Sequence, residues 1–170
     1  MEKESVTLGK MADNIDEIAK CLQETVLQGY SQRFKDELFG PKNIGKMDDA
    51  DSQISITGLC GDTVQMYLAI KDGKIDDIKF MTDGCGATIA CASYVTRTVK
   101  GKTIEDAHRI KPEDVNKYFE GLPEESRHCA KLSIDTLKAA LNMYESKKQK
   151  PKFSPAMKKK KDTHGRTVIF

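Results

Sequence analysis

Alternating apolar and polar residues mark the middle of the chain. Residues 53–57, QISIT, and 63–70, TVQMYLAI, alternate with a period of two, which predicts β-strands. Asp72-Gly73 is a typical hairpin dipeptide, and the KIDDIKFMT segment after it is predicted to return as an antiparallel strand. A sheet this small must be covered by other elements. The pattern therefore predicts an α+β fold, with a three-stranded, mostly antiparallel sheet covered on one face by helices.

Apolar residues spaced three or four apart predict helices on both sides of these strands. Their starts and ends carry capping residues, proline or glycine at the positions that such residues favour. The predicted helices are 13–28; the YSQRFKDELF segment ending at Gly40-Pro41; the segment after Cys85, with a buried stripe of Ile89, Ala92, Val95, Thr96 and Val99, ending at Gly101; a short helix opened by Thr103 and Asp106; another starting at Pro112; and a long helix capped by Ser126 and running through Tyr144.

Charge is unevenly distributed along the 170 residues. Residues 147–170 hold nine Lys or Arg and one acid, a charge of +8, whereas the remainder carries −6 and the net charge is +2. The C-terminal segment is also low in complexity and contains proline, so we predict a disordered basic tail over 147–170. The rest is predicted to divide into an N-terminal helical extension over 1–29 and one globular domain over 30–146.

The composition indicates which cellular compartment and which kinds of partner to expect. No stretch approaches the roughly 18 apolar residues of a membrane span, and the N-terminal residues are acidic rather than signal-like. We therefore expect no membrane association and a cytoplasmic location, where thiols stay reduced. Five cysteines, an odd number, favour metal ligands, reactive thiols or core residues over a disulfide framework. The lysine run at 158–161 lacks interleaved aromatic residues, so nucleic acid is not an expected partner.

Three cysteines lie where a predicted element begins or ends. Cys60 precedes a strand, with Asp62 two residues later; Cys85 stands between two glycines before a helix; and Cys129 follows His128 in the first turn of the last helix. Helix N-termini are expected to lower the pKa of a thiol, and glycine lets an inorganic group approach the backbone. These five side chains are expected to converge at one end of the sheet.

The predicted donor set is soft, with one hard member. Thiolates and imidazole select zinc or iron–sulfur chemistry. The sequence has neither the tight cysteine pairs of structural zinc sites nor the four closely spaced cysteines of ferredoxin-type clusters. His128 and Asp62 both remain candidates for a fourth ligand. Because a carboxylate is a poor permanent ligand for iron in a sulfide cluster, this set suits a cluster that must leave.

The order of these motifs resembles the NifU-like, IscU-type iron–sulfur cluster assembly scaffold proteins. The resemblance spans about residues 30–144. It rests on C-G-D at 60–62, G-C-G at 84–86, K-G-K-T at 100–103 and H-C at 128–129. It implies the fold of the N-terminal domain of that family.

The resemblance implies a scaffold and carrier rather than an enzyme. A transient [2Fe–2S] cluster would be assembled from iron and desulfurase-derived sulfur and then transferred to apo-proteins. Cys60, Cys85 and Cys129 would be the cluster thiolates, with Cys129 also the persulfide acceptor. His128 would be a candidate fourth ligand, and Asp62 the acid that keeps the cluster labile. Zinc often occupies the same site in this family.

One alternative is a zinc-dependent sulfur acceptor of the SufU type. That branch generally lacks the histidine before the last cysteine, whereas this chain has His128. The expected partners are a cysteine desulfurase, an iron or electron donor such as ferredoxin, and apo iron–sulfur clients. A second copy of the chain, forming a homodimer, is a further candidate partner, because three thiolates from one chain do not complete the coordination of a cluster. Many bacterial scaffolds carry an L-P-P-V-K motif read by a chaperone; here residues 122–126 are LPEES, so that chaperone is not implied.

The remaining cysteines and histidines stand outside the predicted site. Cys91 follows Cys85 by six residues and so lies on another helix face, which favours core packing. Cys21 is predicted to pack within the first helix. His108 and His164 show no partner pattern and are predicted at the surface.

Overall fold

The computed structural model of the chain describes residues 27–149, 160–161 and 167–168. Of the predicted helix over 13–28, only residues 27 and 28 are described, and they lie in a turn. Cys21 and His164 fall outside the described residues. The elements are α1 (Gln32–Phe39), β1 (Ser52–Thr57), β2 (Thr63–Lys71), β3 (Lys74–Thr82), α2 (Gly86–Val99), α3 (Ile104–His108), α4 (Pro112–Tyr118), a 3₁₀ turn (Glu124–Ser126), α5 (Arg127–Gln149), β4 (Lys160–Lys161) and β5 (Thr167–Val168).

The predicted three-stranded sheet is confirmed. Strands β1, β2 and β3 pair in chain order and are antiparallel throughout. The turn between β2 and β3 is the predicted Asp72-Gly73, where both residues have positive φ. The pairing of β2 with β3 shifts its register between Ala69 and Ile70, just before this turn. This bulge explains how Ile75 and Ile78 of β3 are both buried although they are three residues apart.

Two long helices cover the sheet, as predicted for an α+β fold. Helix α5 packs on β1 and β2, while α2 packs on β3 and also against α1 and α5. Because α2 has neighbours on several sides, its burial is broader than the predicted stripe: Ala87, Thr88, Ala90 and Cys91 are buried as well. Ile89, predicted in the stripe, is only half-buried. The core prediction for Cys91 is confirmed by its complete burial.

The long helix starts where predicted, directly after Ser126, but it ends five residues later than predicted and the Ser126 side chain has a different partner. Ser126 is the last residue of the 3₁₀ turn, and its hydroxyl lies 2.6 Å from the Tyr30 hydroxyl. Helix α5 begins at Arg127 and continues past Tyr144 to Gln149. Tyr144 at the end of the predicted stripe is half-buried. The buried face otherwise follows the prediction, as Ala130, Ile134, Leu137 and Leu141 are all in the core.

The short helices and the tail complete the described chain. The Thr103 side chain accepts a hydrogen bond from the Asp106 N–H, which confirms the predicted start of α3, and Pro112 opens α4 as predicted. Within the predicted tail, β4 and β5 pair antiparallel. Among the helices that the structure describes, none is both long and apolar enough to cross a membrane.

Candidate metal centre

The candidate site lies where two loops of the sheet meet the first turns of the two long helices. The β1–β2 turn is closed by hydrogen bonds from the Gly58 N–H to the Asp62 carbonyl and from the Gly61 N–H to the Gly58 carbonyl. Gly61 has φ +90°, a conformation that side chains rarely adopt. The tight turn brings Asp62 back beside the loop that joins β3 to α2. The start of α5 closes the other side.

Three of the five predicted site residues come together at this corner. One donor atom each from Asp62, Cys85 and Cys129 lies within 4.8 Å of the other two. The two sulfur atoms are 4.0 Å apart. Residues separated by 67 positions in the sequence thus form one compact group that offers two soft sulfur donors and one hard oxygen donor.

Asp62 is held in this group by two hydrogen bonds to the same carboxylate oxygen. The Thr88 hydroxyl donates to Oδ2 at 2.6 Å, and the Cys85 backbone N–H donates to it at 3.1 Å. These hydrogen bonds, that from Thr88 foremost, lower the pKa of the Asp62 carboxyl below its ordinary value. The side chain is therefore a fixed anion beside the two thiols.

Gly84 is required by the position of this carboxylate. A Cβ atom added at Gly84 would lie 2.7 Å from Oδ2 and 2.9 Å from Cγ of Asp62. Both distances are shorter than the contacts that real Cβ atoms make. The first glycine of the G-C-G motif thus leaves room for the acid of the C-G-D motif.

His128 contacts the group through one member. Its Nε2 atom lies 3.4 Å from the sulfur of Cys129. It does not lie within 4.8 Å of all three clustered donor atoms. The imidazole therefore stands at the edge of the site, next to one thiol.

Cys60 stands apart from the three clustered donors. Its side chain is exposed, in the turn between Gly58 and Asp62. Its sulfur lies 3.6 Å from the position that a Cβ of Gly58 would take. Neighbouring Leu59 is fully exposed. The predicted convergence is thus observed for Asp62, Cys85 and Cys129 but not for Cys60. His128 contacts only Cys129 among the three clustered residues.

The environment of Cys129 differs from the sequence-based expectation. Its side chain is buried although it lies in the first turn of α5. Burial, the largest effect, raises the pKa of the Cys129 thiol to about 12, with the neighbouring Cys85 adding to the rise. The expectation of a lowered pKa for this thiol is wrong here, because burial raises it. Cys85, in contrast, is exposed.

Thr88 and Gly84 are the site residues whose roles sequence reasoning missed. Thr88 appears in the sequence only as a polar residue in a helix rich in alanine. The available signal was a polar side chain three residues after Cys85, in a helix predicted to bury one stripe of residues. Gly84 was noticed as a neighbour of Cys85, but its part in accommodating Asp62 depends on a loop 22 residues away.

The donor chemistry of this corner fits a transition metal. Thiolate sulfur suits zinc, copper(I) and iron in iron–sulfur clusters, whereas a carboxylate oxygen is a harder donor. Three donors within 4.8 Å match the size of a first coordination sphere. The neighbouring imidazole and the exposed Cys60 supply two further donors within the same two loops and helix start.

Comparison with known proteins yields a consistent set of relatives. The NifU-like N-terminal domain matches residues 29–151. The iron–sulfur cluster assembly scaffold protein IscU 1 of Archaeoglobus fulgidus is 41% identical over 122 residues, which cover 71% of this chain and 80% of the relative. The scaffold protein IscU of Escherichia coli K12 is 37% identical over 126 residues, covering 71% and 97%. A solved N-terminal structure of a NifU-like protein from Brucella abortus, 23% identical, matches 69% of this chain and 94% of that chain with a TM-score of 0.60 and supports the fold.

Proposed function

The chain belongs to the NifU-like N-terminal domain family, and we propose that it is a scaffold on which a transient [2Fe–2S] cluster is assembled and then passed to apo-proteins. The observation that carries this proposal is the corner where Asp62, Cys85 and Cys129 lie within 4.8 Å of one another. Relatives named iron–sulfur cluster assembly scaffold proteins at about 40% identity support it. Their names describe scaffolds, so we propose a carrier and not an enzyme.

The proposed ligands divide by chemistry. Cys60, Cys85 and Cys129 supply thiolates, which bind iron and persist in the presence of sulfide. Asp62 supplies a hard oxygen that binds ferrous iron but competes poorly once sulfide is present. His128, 3.4 Å from Cys129, is the alternative fourth ligand. A cargo bound partly through a weak ligand leaves more readily than one bound by four thiolates.

Sulfur delivery is assigned to Cys129. Its thiolate would attack the outer sulfur of a desulfurase persulfide, the desulfurase cysteine would leave as a thiolate, and Cys129 would then carry the transferred sulfur as its own persulfide. Because Cys129 is buried and the pKa of its thiol is about 12, we propose that the site opens for this transfer and that a base takes the thiol proton.

The partners follow from this chemistry. The scaffold needs a cysteine desulfurase, a source of iron and of electrons such as a ferredoxin, and apo iron–sulfur clients. A second copy of the chain would complete the coordination of a cluster bound by three thiolates. Zinc would bind the same donors. A reducing compartment such as the cytosol keeps the thiols available.

Anaerobic reconstitution tests this function. The chain is mixed with ferrous iron, cysteine and a cysteine desulfurase, and the visible absorption of a [2Fe–2S] cluster is followed, first on the chain and then on an added apo-ferredoxin. Cys85→Ser should abolish the cluster. Cys91→Ser, within the helix that begins directly after Cys85 but buried in the core, is the matched control and should retain it.

The opposing results are equally specific. Tight zinc that iron never displaces, together with persulfide on Cys129, would instead identify a sulfur acceptor of the SufU type. Metal binding with neither cluster formation nor persulfide would indicate a structural metal site without transfer chemistry.

A further inference from the structure

Thr88 is a buried polar side chain beside the clustered donors, and the proposed cluster chemistry gives it no part. Its Oγ1 atom lies 2.6 Å from Asp62 Oδ2 and 3.7 Å from the sulfur of Cys85. The residue is completely buried in the first turn of α2. Within residues 27–149, the hydrogen bonds to the Asp62 carboxylate come from Thr88 and the Cys85 N–H, and both end on Oδ2.

The Thr88 hydroxyl has a different partner from other buried threonines of the same fold. Threonine in a helix commonly donates to the carbonyl four residues earlier. Thr96 donates to the Ala92 carbonyl at 2.9 Å, and Thr136 donates to the Leu132 carbonyl at 2.8 Å. Thr88 instead donates across to a side chain 26 positions earlier in the chain. The hydroxyl is thus directed at the carboxylate.

We propose that Thr88 is a positioning residue that fixes which oxygen of Asp62 faces a metal ion. With Oδ2 occupied by two protein donors, Oδ1 is the oxygen left for a metal bound by Cys85 and Cys129. Asp62 is thereby held as a ligand through one oxygen instead of two. This inference rests on the proposed function in one respect, namely that Asp62 is a metal ligand.

The two hydrogen bonds hold the carboxylate in place before a metal binds. Partners that orient a metal-binding side chain commonly change metal affinity by about 10–100-fold when they are removed. Removal of the Thr88 hydroxyl should therefore weaken metal binding.

The test is cobalt(II) binding to the whole chain under anaerobic conditions, followed by optical titration. Thr88→Val, which keeps the shape and removes the hydroxyl, should weaken cobalt binding about tenfold and shift the visible ligand-field bands. The sulfur-to-cobalt charge-transfer band should remain, because Cys85 and Cys129 are unchanged. Thr88→Ser should restore wild-type affinity and spectrum. Thr96→Val, the matched buried threonine of α2, should leave both unchanged.

A double-mutant cycle separates positioning from packing. In an Asp62→Ala background, Thr88→Val should have a much smaller effect on cobalt affinity, because only its 3.7 Å contact with the sulfur of Cys85 is then lost. The same loss in both backgrounds, or a failure of Thr88→Ser to rescue, would overturn the proposal. So would an unchanged affinity and spectrum in Thr88→Val. If the valine variant does not fold by circular dichroism, the serine variant and Thr88→Ala carry the same comparison.

Failure of the proposed function gives a different pattern. A wild-type chain that shows the Thr88–Asp62 coupling with cobalt but never transfers a [2Fe–2S] cluster would refute the scaffold function and leave the positioning role intact. A chain that transfers clusters normally but shows no coupling would refute only the role of Thr88.

Discussion

Substitution of Gly84 by alanine tests whether the position of the Asp62 carboxylate controls metal binding. The added Cβ would lie 2.7 Å from Asp62 Oδ2. Because non-bonded heavy atoms settle at roughly 3.5 Å, Oδ2 must retreat by roughly 0.8 Å. The hydrogen bond from the adjacent Cys85 N–H to Oδ2 is already 3.1 Å long, so we expect a displacement of this size to break it.

The size of the effect follows from the hydrogen bonds at risk. A hydrogen bond to a charged group contributes about 1.5–3 kcal/mol when shielded from solvent. Asp62 is half-buried, so solvent screening reduces the loss to about 1–2 kcal/mol. If this loss falls on the metal-bound state, affinity should fall about 5–30-fold. The clash and the lost hydrogen bond are also present in the metal-free chain, so alanine should lower its unfolding free energy by about 1–2 kcal/mol, although the backbone of Gly84 does not need positive φ.

The assay combines cobalt titration with chemical denaturation of Gly84→Ala. Gly86→Ala is the matched control, because the added Cβ meets only the flexible end of Leu38, at 3.0 Å, and does not touch Asp62. It should bind cobalt as the wild type does. The reasoning is refuted if Gly84→Ala binds cobalt with wild-type affinity, or if it loses the same factor when Asp62 is already alanine.

Three further predictions concern titration and stability. The pKa of Asp62 is lowered in the folded chain, so the ionised carboxylate stabilises the fold at pH values above its ordinary pKa of 3.8, and this stabilisation is lost as the pH falls through the lowered pKa. In urea unfolding, the difference in unfolding free energy between the wild type and Asp62→Asn should therefore shrink below about pH 4. Burial raises the pKa of the Cys129 thiol to about 12, so at about pH 8 iodoacetamide should label exposed Cys60 well before Cys129, as read by peptide mass spectrometry; equal labelling would contradict this. Glu37 is buried and pairs with Arg97 at 2.5 Å, so Glu37→Gln should lower the unfolding free energy by about 2–3 kcal/mol. Glu105→Gln, in an exposed pair, should lower it by at most about 0.5 kcal/mol, and equal losses in the two variants would contradict the importance of burial.

The parts of the fold that depend on neighbouring residues could be predicted from the sequence. The hairpin at Asp72-Gly73, the cap at Thr103 and the buried positions Met66 and Leu68 follow from turn chemistry and a period of two. Each is observed. These features are local, so the residues that decide them lie within a few positions of one another.

The features that were missed depend on partners distant in the sequence. Helix α2 is buried more broadly than its stripe because α1, α5 and β3 all pack against it, which no pattern within the helix reveals. Ser126 was expected to cap α5, but its hydroxyl pairs with Tyr30, 96 positions earlier. The bond from Thr88 to Asp62 is of the same kind. Motif order could name the sulfur donors of the site but not the hydroxyl that holds its acid.

The same contrast divides the site into a fixed part and an exposed part. Asp62 is held by Thr88, by the Cys85 N–H and by a backbone bond from Gly58 to its carbonyl. Cys60 lies two residues away in the same turn, yet its side chain is exposed and outside the clustered group. Because the turn is anchored by the hydrogen bond between Gly58 and Asp62, we expect that Cys60 can move toward the other donors without displacing the acid. Under the proposed function, this arrangement would let the preformed corner bind a first metal ion with few rearrangements, and Cys60 would then add the third thiolate.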